Sequence, residues 1–139
     1  MIHSDPPPSV PKSRALLVVD DQASVRLSLE FMLSGVGFRV LSAASGPEAI
    51  EQMAREGADG ALIDVHMPVM NGFETGVRLK ELAAMAGRQF PIWFMTGAGG
   101  SAVEKRSAEL GALGVFSKPF DLQHLLARLQ SGFEHGTAN

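Results

Sequence analysis

The stretch ALLVVDD, residues 15–21, determines the fold of this 139-residue chain. Five consecutive apolar residues predict a strand with both faces covered, and two carboxylates follow it directly. Three further apolar runs also end on a polar side chain: ALID on Asp64, PIWFMT on Thr96 and GVFSK on Lys118. In an open parallel sheet the carboxyl ends of the strands share one edge, where ligands bind. We therefore expect Asp20, Asp21, Asp64, Thr96 and Lys118 to meet in one crevice.

Amphipathic stretches alternate with the apolar runs. The predicted strands are 15–19, 38–43, 60–64, 91–96 and 115–117, and the predicted helices are 24–34, one behind a capping box at 45–48, 73–85, 102–110, and one capped by Asp121. A strand and a helix repeated five times predict an α/β fold of three layers, a doubly wound parallel sheet with helices on both faces. Right-handed crossovers favour the flavodoxin-like strand order 2-1-3-4-5.

Composition excludes several classes of function. The chain has no cysteine, which rules out disulfides and thiolate sites. Its net charge is −3 and its basic residues form no stripe, so we expect no nucleic-acid partner. No apolar run approaches the roughly 20 residues of a membrane span, and the proline-rich start lacks the apolar core of a signal peptide. These features predict a cytoplasmic protein with no membrane contact.

The acidic residues of the crevice suggest a divalent cation. Asp20 and Asp21 end the first strand and Asp64 the third, and those strands are neighbours in the expected order. Three carboxylates this close repel one another, and a hard cation such as Mg²⁺ removes that cost through oxygen ligands. A single Asp at the start of a helix is more often a cap. A pair matched by Asp64 and Lys118 at two other strand ends favours the metal.

Thr96 and Lys118 suit phosphate chemistry. A hydroxyl donates to a phosphoryl oxygen, and an ammonium pairs with a carboxylate or a phosphoryl oxygen. The alternatives are a strand residue that stops before glycines and a solvated lysine. The run TGAGGS, residues 96–101, lacks the Gly-Lys-Ser/Thr of a P-loop and is weak evidence for a phosphate cradle.

These motifs together resemble the receiver domain of two-component response regulators. The matching stretches are VVDDQ at 18–22, LIDVHMPVMNG at 62–72, FMTG at 94–97 and FSKPF at 116–120. The resemblance runs from Ala15 to about Phe133, so we expect a receiver domain over 15–133, a flexible proline-rich tail over 1–14 and a short tail over 134–139.

The resemblance implies a role for each residue of the crevice. Asp64 would accept a phosphoryl group from a histidine kinase or a histidine phosphotransfer protein. Asp21, Asp64 and the backbone carbonyl of His66 would ligate Mg²⁺ (or Mn²⁺), and Asp20 would act through a metal-bound water. Thr96 and Lys118 would hold the phosphoryl oxygens. The phosphorylated form would bind a protein target through about 102–129, as a signalling module or phosphorelay step rather than a turnover enzyme.

Three departures from the family pattern leave alternatives open. Val115 stands where many receivers carry a switch aromatic, Gly97 follows Thr96 where alanine is common, and His66 places a titratable side chain near the site. A degenerate receiver that binds partners without phosphorylation is the main alternative. A Mg²⁺-dependent phosphatase with an Asp nucleophile would want a second Asp at position 66, and a flavin mononucleotide carrier is disfavoured by the acidic first loop.

Overall fold

The computed structural model describes residues 14–136. The strands are β1 Ala15–Val19, β2 Arg39–Ala43, β3 Gly60–Asp64, β4 Ile92–Thr96 and β5 Gly114–Ser117. The helices are α1 Ala23–Ser34, α2 Gly46–Glu56, α3 Gly72–Met85, α4 Ser101–Glu109 and α5 Leu122–Ser131. The predicted elements are all present, and no predicted bound differs from the observed one by more than one residue. The predicted N-terminal tail lies outside the described residues except for Arg14. Of the predicted C-terminal tail, only residues 134–136 are described.

The five strands form one parallel sheet in the order β2-β1-β3-β4-β5, so the predicted fold class is confirmed. The register pairs Val19 with Ile63, Asp64 with Met95 and Thr96 with Ser117. The chain therefore leaves four neighbouring strands at the same level of the sheet. That alignment brings distant segments of sequence to a common edge.

Two apolar clusters cover the two faces of the sheet. One joins alternate strand residues such as Leu17 and Ile63 to α2, α3 and α4, and the other joins Leu16 and Leu62 to α1 and α5. Because both faces of the sheet are covered, the central strands β1, β3 and β4 are apolar along their length and become polar only at or just after their carboxyl ends, as their sequences predict. The helices on the two sides make up the three layers.

Local side-chain bonds fix where the helices begin. The hydroxyl of Ser45 accepts from the Glu48 N–H at 3.2 Å, which confirms the cap predicted for α2. The Glu48 carboxylate reaches back to the N–H of Ala44 at 2.6 Å, one residue earlier than the usual capping box. Asp121 accepts from the Gln123 N–H at 3.1 Å and caps α5 as predicted.

The buried face of α3 differs from the one the apolar residues suggest. Met85 is one of the apolar residues of α3, but this residue is 83% exposed. The buried residues of the helix include the small Gly76 and Ala83 together with Leu79. A Cβ at Gly76 would lie 3.1 Å from the Phe94 ring, so the helix packs directly on that ring. Met85 lies at the last residue of the helix, beyond this contact.

The chain beyond α5 continues as a π-helical segment, Gly132–Gly136. Phe133 is buried there and packs on Phe38 and Trp93, with ring centroids 5.7 and 5.4 Å away. Trp93 is fully buried. Within residues 14–136, no helix is both long and apolar enough to cross a bilayer.

Gly72 permits the closest backbone contact near the site. A Cβ at this position would lie 2.1 Å from the backbone oxygen of Asp64 and 2.8 Å from the Cα of Val65. The Gly72 N–H also donates to the Val65 carbonyl at 2.9 Å. Any side chain here would push the start of α3 away from the end of β3.

We therefore expect Gly72→Ala to lower the free energy of unfolding by about 2 kcal/mol, because backbone atoms cannot move aside cheaply. Urea denaturation measures the change. Gly97→Ala is the matched control, since nothing lies within 4 Å of a Cβ at that exposed position. It should change stability by less than about 0.5 kcal/mol. Equal effects of the two substitutions would contradict the close contact.

Candidate functional site

The polar residues of the site lie at the ends of their strands or just after them, and the sheet's hydrogen bonds continue to hold their backbone. Asp20 N–H donates to the Ala43 carbonyl at 3.1 Å, and Lys118 N–H donates to the Thr96 carbonyl at 2.9 Å. Val65 N–H, just after Asp64, donates to the Met95 carbonyl at 2.9 Å. The site is therefore built on the rigid edge of the sheet.

Three carboxylates form a compact cluster at this edge. One oxygen from each of Asp20, Asp21 and Asp64 lies within 4.8 Å of the others. Asp20 is fully buried and Asp64 is 5% exposed, whereas Asp21 is exposed to solvent. The sequence predicted this meeting of three acidic side chains from two neighbouring strands. The exposed side chain leaves a path for water and ions.

Lys118 lies between two of these carboxylates. Its Nζ is 2.7 Å from Oδ2 of Asp20 and 3.2 Å from Oδ2 of Asp64. Only 18% of its side chain is exposed, so it is not a solvated surface lysine. The peptide bond to Pro119 that follows is cis. One ammonium against three carboxylates leaves two negative charges in the cluster.

Backbone N–H groups orient the other carboxylate oxygens. The N–H of Gln22 donates to Oδ1 of Asp20 at 2.9 Å, and the N–H of His66 donates to Oδ1 of Asp64 at 3.0 Å. Each carboxylate thus has one oxygen held by its own loop and one facing Lys118. The directions of both side chains are fixed before any ligand arrives.

Burial raises the pKa of Asp64 above its ordinary value, and the charge of Asp20 raises it further. The N–H of His66 and the ammonium of Lys118 lower the pKa and only partly offset those effects. Burial lowers the pKa of Lys118, but its hydrogen bond to Asp20 and the charges of both carboxylates outweigh burial. On balance the pKa of Lys118 is raised, so its side chain is a charged ammonium at neutral pH.

Thr96 lies at the same edge but is bonded within its own loop. It is fully buried, and its hydroxyl accepts from the Ala98 N–H at 3.1 Å. Residues 97–100 are exposed, and Gly97 has open space where a Cβ would be. The structure therefore couples the hydroxyl to an open, glycine-rich loop.

The side chain of His66 points into solvent. The resemblance to receiver domains implied a metal-binding role for its backbone carbonyl, and that role does not involve the exposed ring. His124 is also exposed, and its ring meets the Phe116 ring edge-on, with centroids 5.9 Å apart. Phe116 itself is buried on the α5 side of the sheet, while Val115 lies half-buried on the α4 side.

The donor set suits a hard divalent cation. All three side chains offer carboxylate oxygens, and two negative charges remain after Lys118 is counted. Burial and the charge of Asp20 raise the pKa of Asp64, in line with a negative charge that Lys118 only partly offsets. Mg²⁺ prefers oxygen ligands and retains several waters, which the exposed side of Asp21 can admit. The residues present therefore fit the metal expected from the sequence.

One residue of the site was missed by sequence reasoning. The guanidinium of Arg26, in the first turn of α1, donates to the backbone carbonyl of Asp20 at 2.7 Å. A lone arginine among helix residues carries no obvious pattern. The available signal was its charge at the start of a helix, where basic residues are disfavoured.

Comparison with known proteins assigns the family. The family model described as the response regulator receiver domain matches residues 16–130. Sporulation initiation phosphotransferase F of Bacillus subtilis is 33% identical over 110 residues, which are 79% of this chain and 86% of that protein. Response regulator MprA of Mycobacterium leprae is 35% identical over 116 residues, but they are only 49% of its length against 84% of this chain.

The fold agrees with solved structures. The chemotaxis protein CheY4 of Vibrio cholerae superimposes with a TM-score of 0.77 at 31% identity, over 85% of this chain and 97% of that one. The chain spans about half the length of MprA and nearly the whole of the chemotaxis protein. Family model, relatives and architecture agree, and this chain belongs to the receiver domain family of two-component response regulators.

Proposed function

We propose that this receiver domain takes a phosphoryl group from the phosphohistidine of a histidine kinase or histidine phosphotransfer protein onto Asp64. The observation that carries the proposal is Lys118, whose ammonium bridges Asp20 and Asp64 within a cluster of three carboxylates. An acceptor carboxylate next to a fixed cation and within an acidic cluster that can bind a divalent cation is what charge neutralisation of phosphoryl transfer requires.

In this reaction an oxygen of Asp64 attacks phosphorus in line with the donor's P–N bond. The O–P bond forms as the P–N bond breaks, and the electron pair leaves on the imidazole nitrogen. The product is an acyl phosphate on Asp64. Lys118 pairs with a phosphoryl oxygen, and the hydroxyl hydrogen of Thr96 donates to another while its oxygen still accepts from Ala98.

Mg²⁺ is the cofactor we assign, with Mn²⁺ as a substitute that accepts the same oxygen ligands. Asp21, Asp64 and the backbone carbonyl of His66 would ligate it, and Asp20 would contact it through a water. When bound, the ion would neutralise charge on the transferring group in addition to Lys118.

Phosphorylation would change partner binding through the loop that Thr96 holds. Movement of the Thr96 hydroxyl toward a phosphoryl oxygen pulls on Ala98 and so on residues 97–100, which lead into α4. Val115 cannot supply the aromatic rotation used by many receivers. We therefore assign the signal to the loop and to the surface formed by about 102–129, which would bind the downstream protein.

The phosphodonor needs access beside Lys118. A groove of about 500 Å³ opens there between α1 and the loop before α5, and it is lined by residues that include Ser28, Met32, Lys118 and Phe120. Its walls are mainly apolar, and it reaches Lys118, whose ammonium contacts the proposed acceptor Asp64. We propose that the donor protein rests against this groove, in the cytoplasm, without nucleic acid or membrane.

Receiver domains are signalling modules, and we propose that this one, spanning 15–133, is modified rather than catalysing turnover of a free substrate. Val115 is the one observation that favours a degenerate receiver. The cluster of Asp20, Asp21 and Asp64 opposes it, because Lys118 pairs with only two of the three carboxylates and the residues required for phosphoryl transfer are all present.

Incubation with acetyl phosphate and Mg²⁺ tests the proposal. We expect intact-mass spectrometry to show one added phosphoryl group, lost on treatment with hydroxylamine as an acyl phosphate should be. Chelation of Mg²⁺ should prevent the adduct. A protein that binds Mg²⁺ but never gains the adduct would be a degenerate receiver.

A further inference from the structure

Arg26 lies in the first turn of α1, five residues after Asp21. Its Nη1 donates to the backbone carbonyl of Asp20 at 2.7 Å, and the side chain is half-buried. The contact spans the turn between β1 and α1, which carries both members of the acidic pair. Arg26 therefore contacts the backbone that positions Asp21, a proposed metal ligand, and Asp20, which would contact the metal through a water.

Helix stability does not account for a cation at this position. The amino end of a helix carries partial positive charge, so an arginine in the first turn costs a fraction of a kcal/mol, about 0.3–1. The helix has no acidic residue in that turn to offset it, and the side chain of Gln22 makes no capping bond. Within residues 14–136, Arg26 forms no ion pair with a carboxylate. Its bond to Asp20 is the interaction that explains it.

That bond completes the fixation of Asp20. The N–H donates to the carbonyl of Ala43, Oδ1 accepts from the N–H of Gln22, and Oδ2 accepts from Lys118. The backbone carbonyl is the remaining polar group, and Arg26 binds it. The carbonyl belongs to the peptide plane that joins Asp20 to Asp21, so fixing it sets the angle between a fully buried carboxylate and an exposed one.

We propose that Arg26 is a positioning residue for the divalent cation: it holds the Asp20–Asp21 peptide plane and so keeps the two carboxylates arranged for metal binding. The proposal rests on the proposed function insofar as a divalent cation binds this cluster. Partners that orient ligands from behind typically change metal affinity by about 10–100-fold when removed.

Positioning and simple electrostatics predict opposite results. If the charge of Arg26 acted only through space, its removal would strengthen binding of a cation to the acidic cluster. If Arg26 positions the ligands, its removal weakens binding. If it merely supports α1, its removal lowers stability to the same extent with and without Mg²⁺. The three roles therefore differ in sign or in metal dependence.

The experiment measures Mg²⁺ affinity of the full chain by isothermal titration calorimetry, with Tm recorded with and without Mg²⁺. Arg26→Met keeps the length of the side chain but removes charge and donors. We expect it to weaken Mg²⁺ binding about tenfold and to lose part of the Mg²⁺-induced rise in Tm. Arg26→Lys retains a charged donor and should recover most of the affinity.

Arg55→Met is the matched control, because it removes the same charge from the last turn of α2, at the opposite edge of the sheet from the site. It should leave the Mg²⁺ affinity unchanged within about twofold, since an exposed charge beyond a Debye length of ~10 Å is screened. Mg²⁺ binding by Arg26→Met that equals or exceeds that of the unaltered protein would overturn the proposal. Absence of Mg²⁺ binding by the unaltered protein would instead overturn both this proposal and the proposed cofactor.

Discussion

Asp64→Asn is expected to raise the Tm of the metal-free protein by about 4 °C at neutral pH, the change that 1 kcal/mol produces in a domain of this size. The same substitution should abolish the phosphoryl adduct. Burial and the charge of Asp20 raise the pKa of Asp64, so the folded state disfavours its ionised form. A neutral amide of the same shape removes that cost, and Lys118 keeps its 2.7 Å contact with Asp20.

The pH dependence has a defined sign. Because the pKa of Asp64 is higher in the folded state, its contribution favours folding at pH below the ordinary carboxyl pKa and is lost as pH rises through the folded value. The advantage of Asp64→Asn over the unaltered protein should therefore shrink as the solution is acidified toward pH 4. Thermal melts across this range, without metal, measure it.

Asp59→Asn is the matched control for this effect. The Asp59 carboxylate accepts from the Ala15 N–H at 2.7 Å and lies 3.6 Å from Arg88, with no second carboxylate in either contact. The same change should therefore lower Tm, because it weakens a charge-assisted bond that holds the first strand. A fall in Tm for Asp64→Asn at neutral pH would contradict our account of the acidic cluster.

Lys118→Ala is expected to destabilise the metal-free protein by about 3 kcal/mol, roughly 10 °C in Tm. The substitution leaves Asp20 and Asp64 buried beside each other without their shared cation. Mg²⁺ can supply the missing positive charge, so the Mg²⁺-induced rise in Tm should be larger than in the unaltered protein. Labelling by acetyl phosphate should slow by at least about tenfold, since a cation next to the transferring group is lost.

Lys80→Ala separates this effect from the general loss of a half-buried lysine. Lys80, on α3, donates to the carbonyl of Leu110 at 3.3 Å and has no carboxylate partner in the described structure. Its removal should lower Tm by the same amount with and without Mg²⁺. If Lys118→Ala behaves in that way too, the ammonium is not the counter-charge of the acidic cluster.

The residues that meet at the carboxyl edge of the sheet could be predicted from sequence, because their meeting depends on topology alone. Each residue of the proposed site follows an apolar run, and parallel strands bring the ends of such runs together. The meeting of Asp20, Asp21, Asp64 and Lys118 was therefore predicted without coordinates. The order of the strands followed from short right-handed connections. These features need only the period and length of the apolar segments.

Contacts that depend on exact distances could not be predicted. The bond from Arg26 to the Asp20 carbonyl joins a side chain to backbone, and every residue offers such a carbonyl. The close approach of Gly72 to Asp64 depends on the angle at which α3 leaves the loop. The exposure of Met85 depends on where α3 stops touching the sheet, whereas helical periodicity continues past that point.

The measurement that tests the account most directly is chemical identification of the acceptor. Borohydride reduces an aspartyl phosphate to homoserine, which marks the modified position for peptide mass spectrometry. After treatment with acetyl phosphate and Mg²⁺, we predict homoserine at position 64 and unchanged aspartate at 20 and 21. Homoserine at another position, or none in a protein that has gained the phosphoryl mass, would contradict the central claim that Asp64 is the phosphoacceptor.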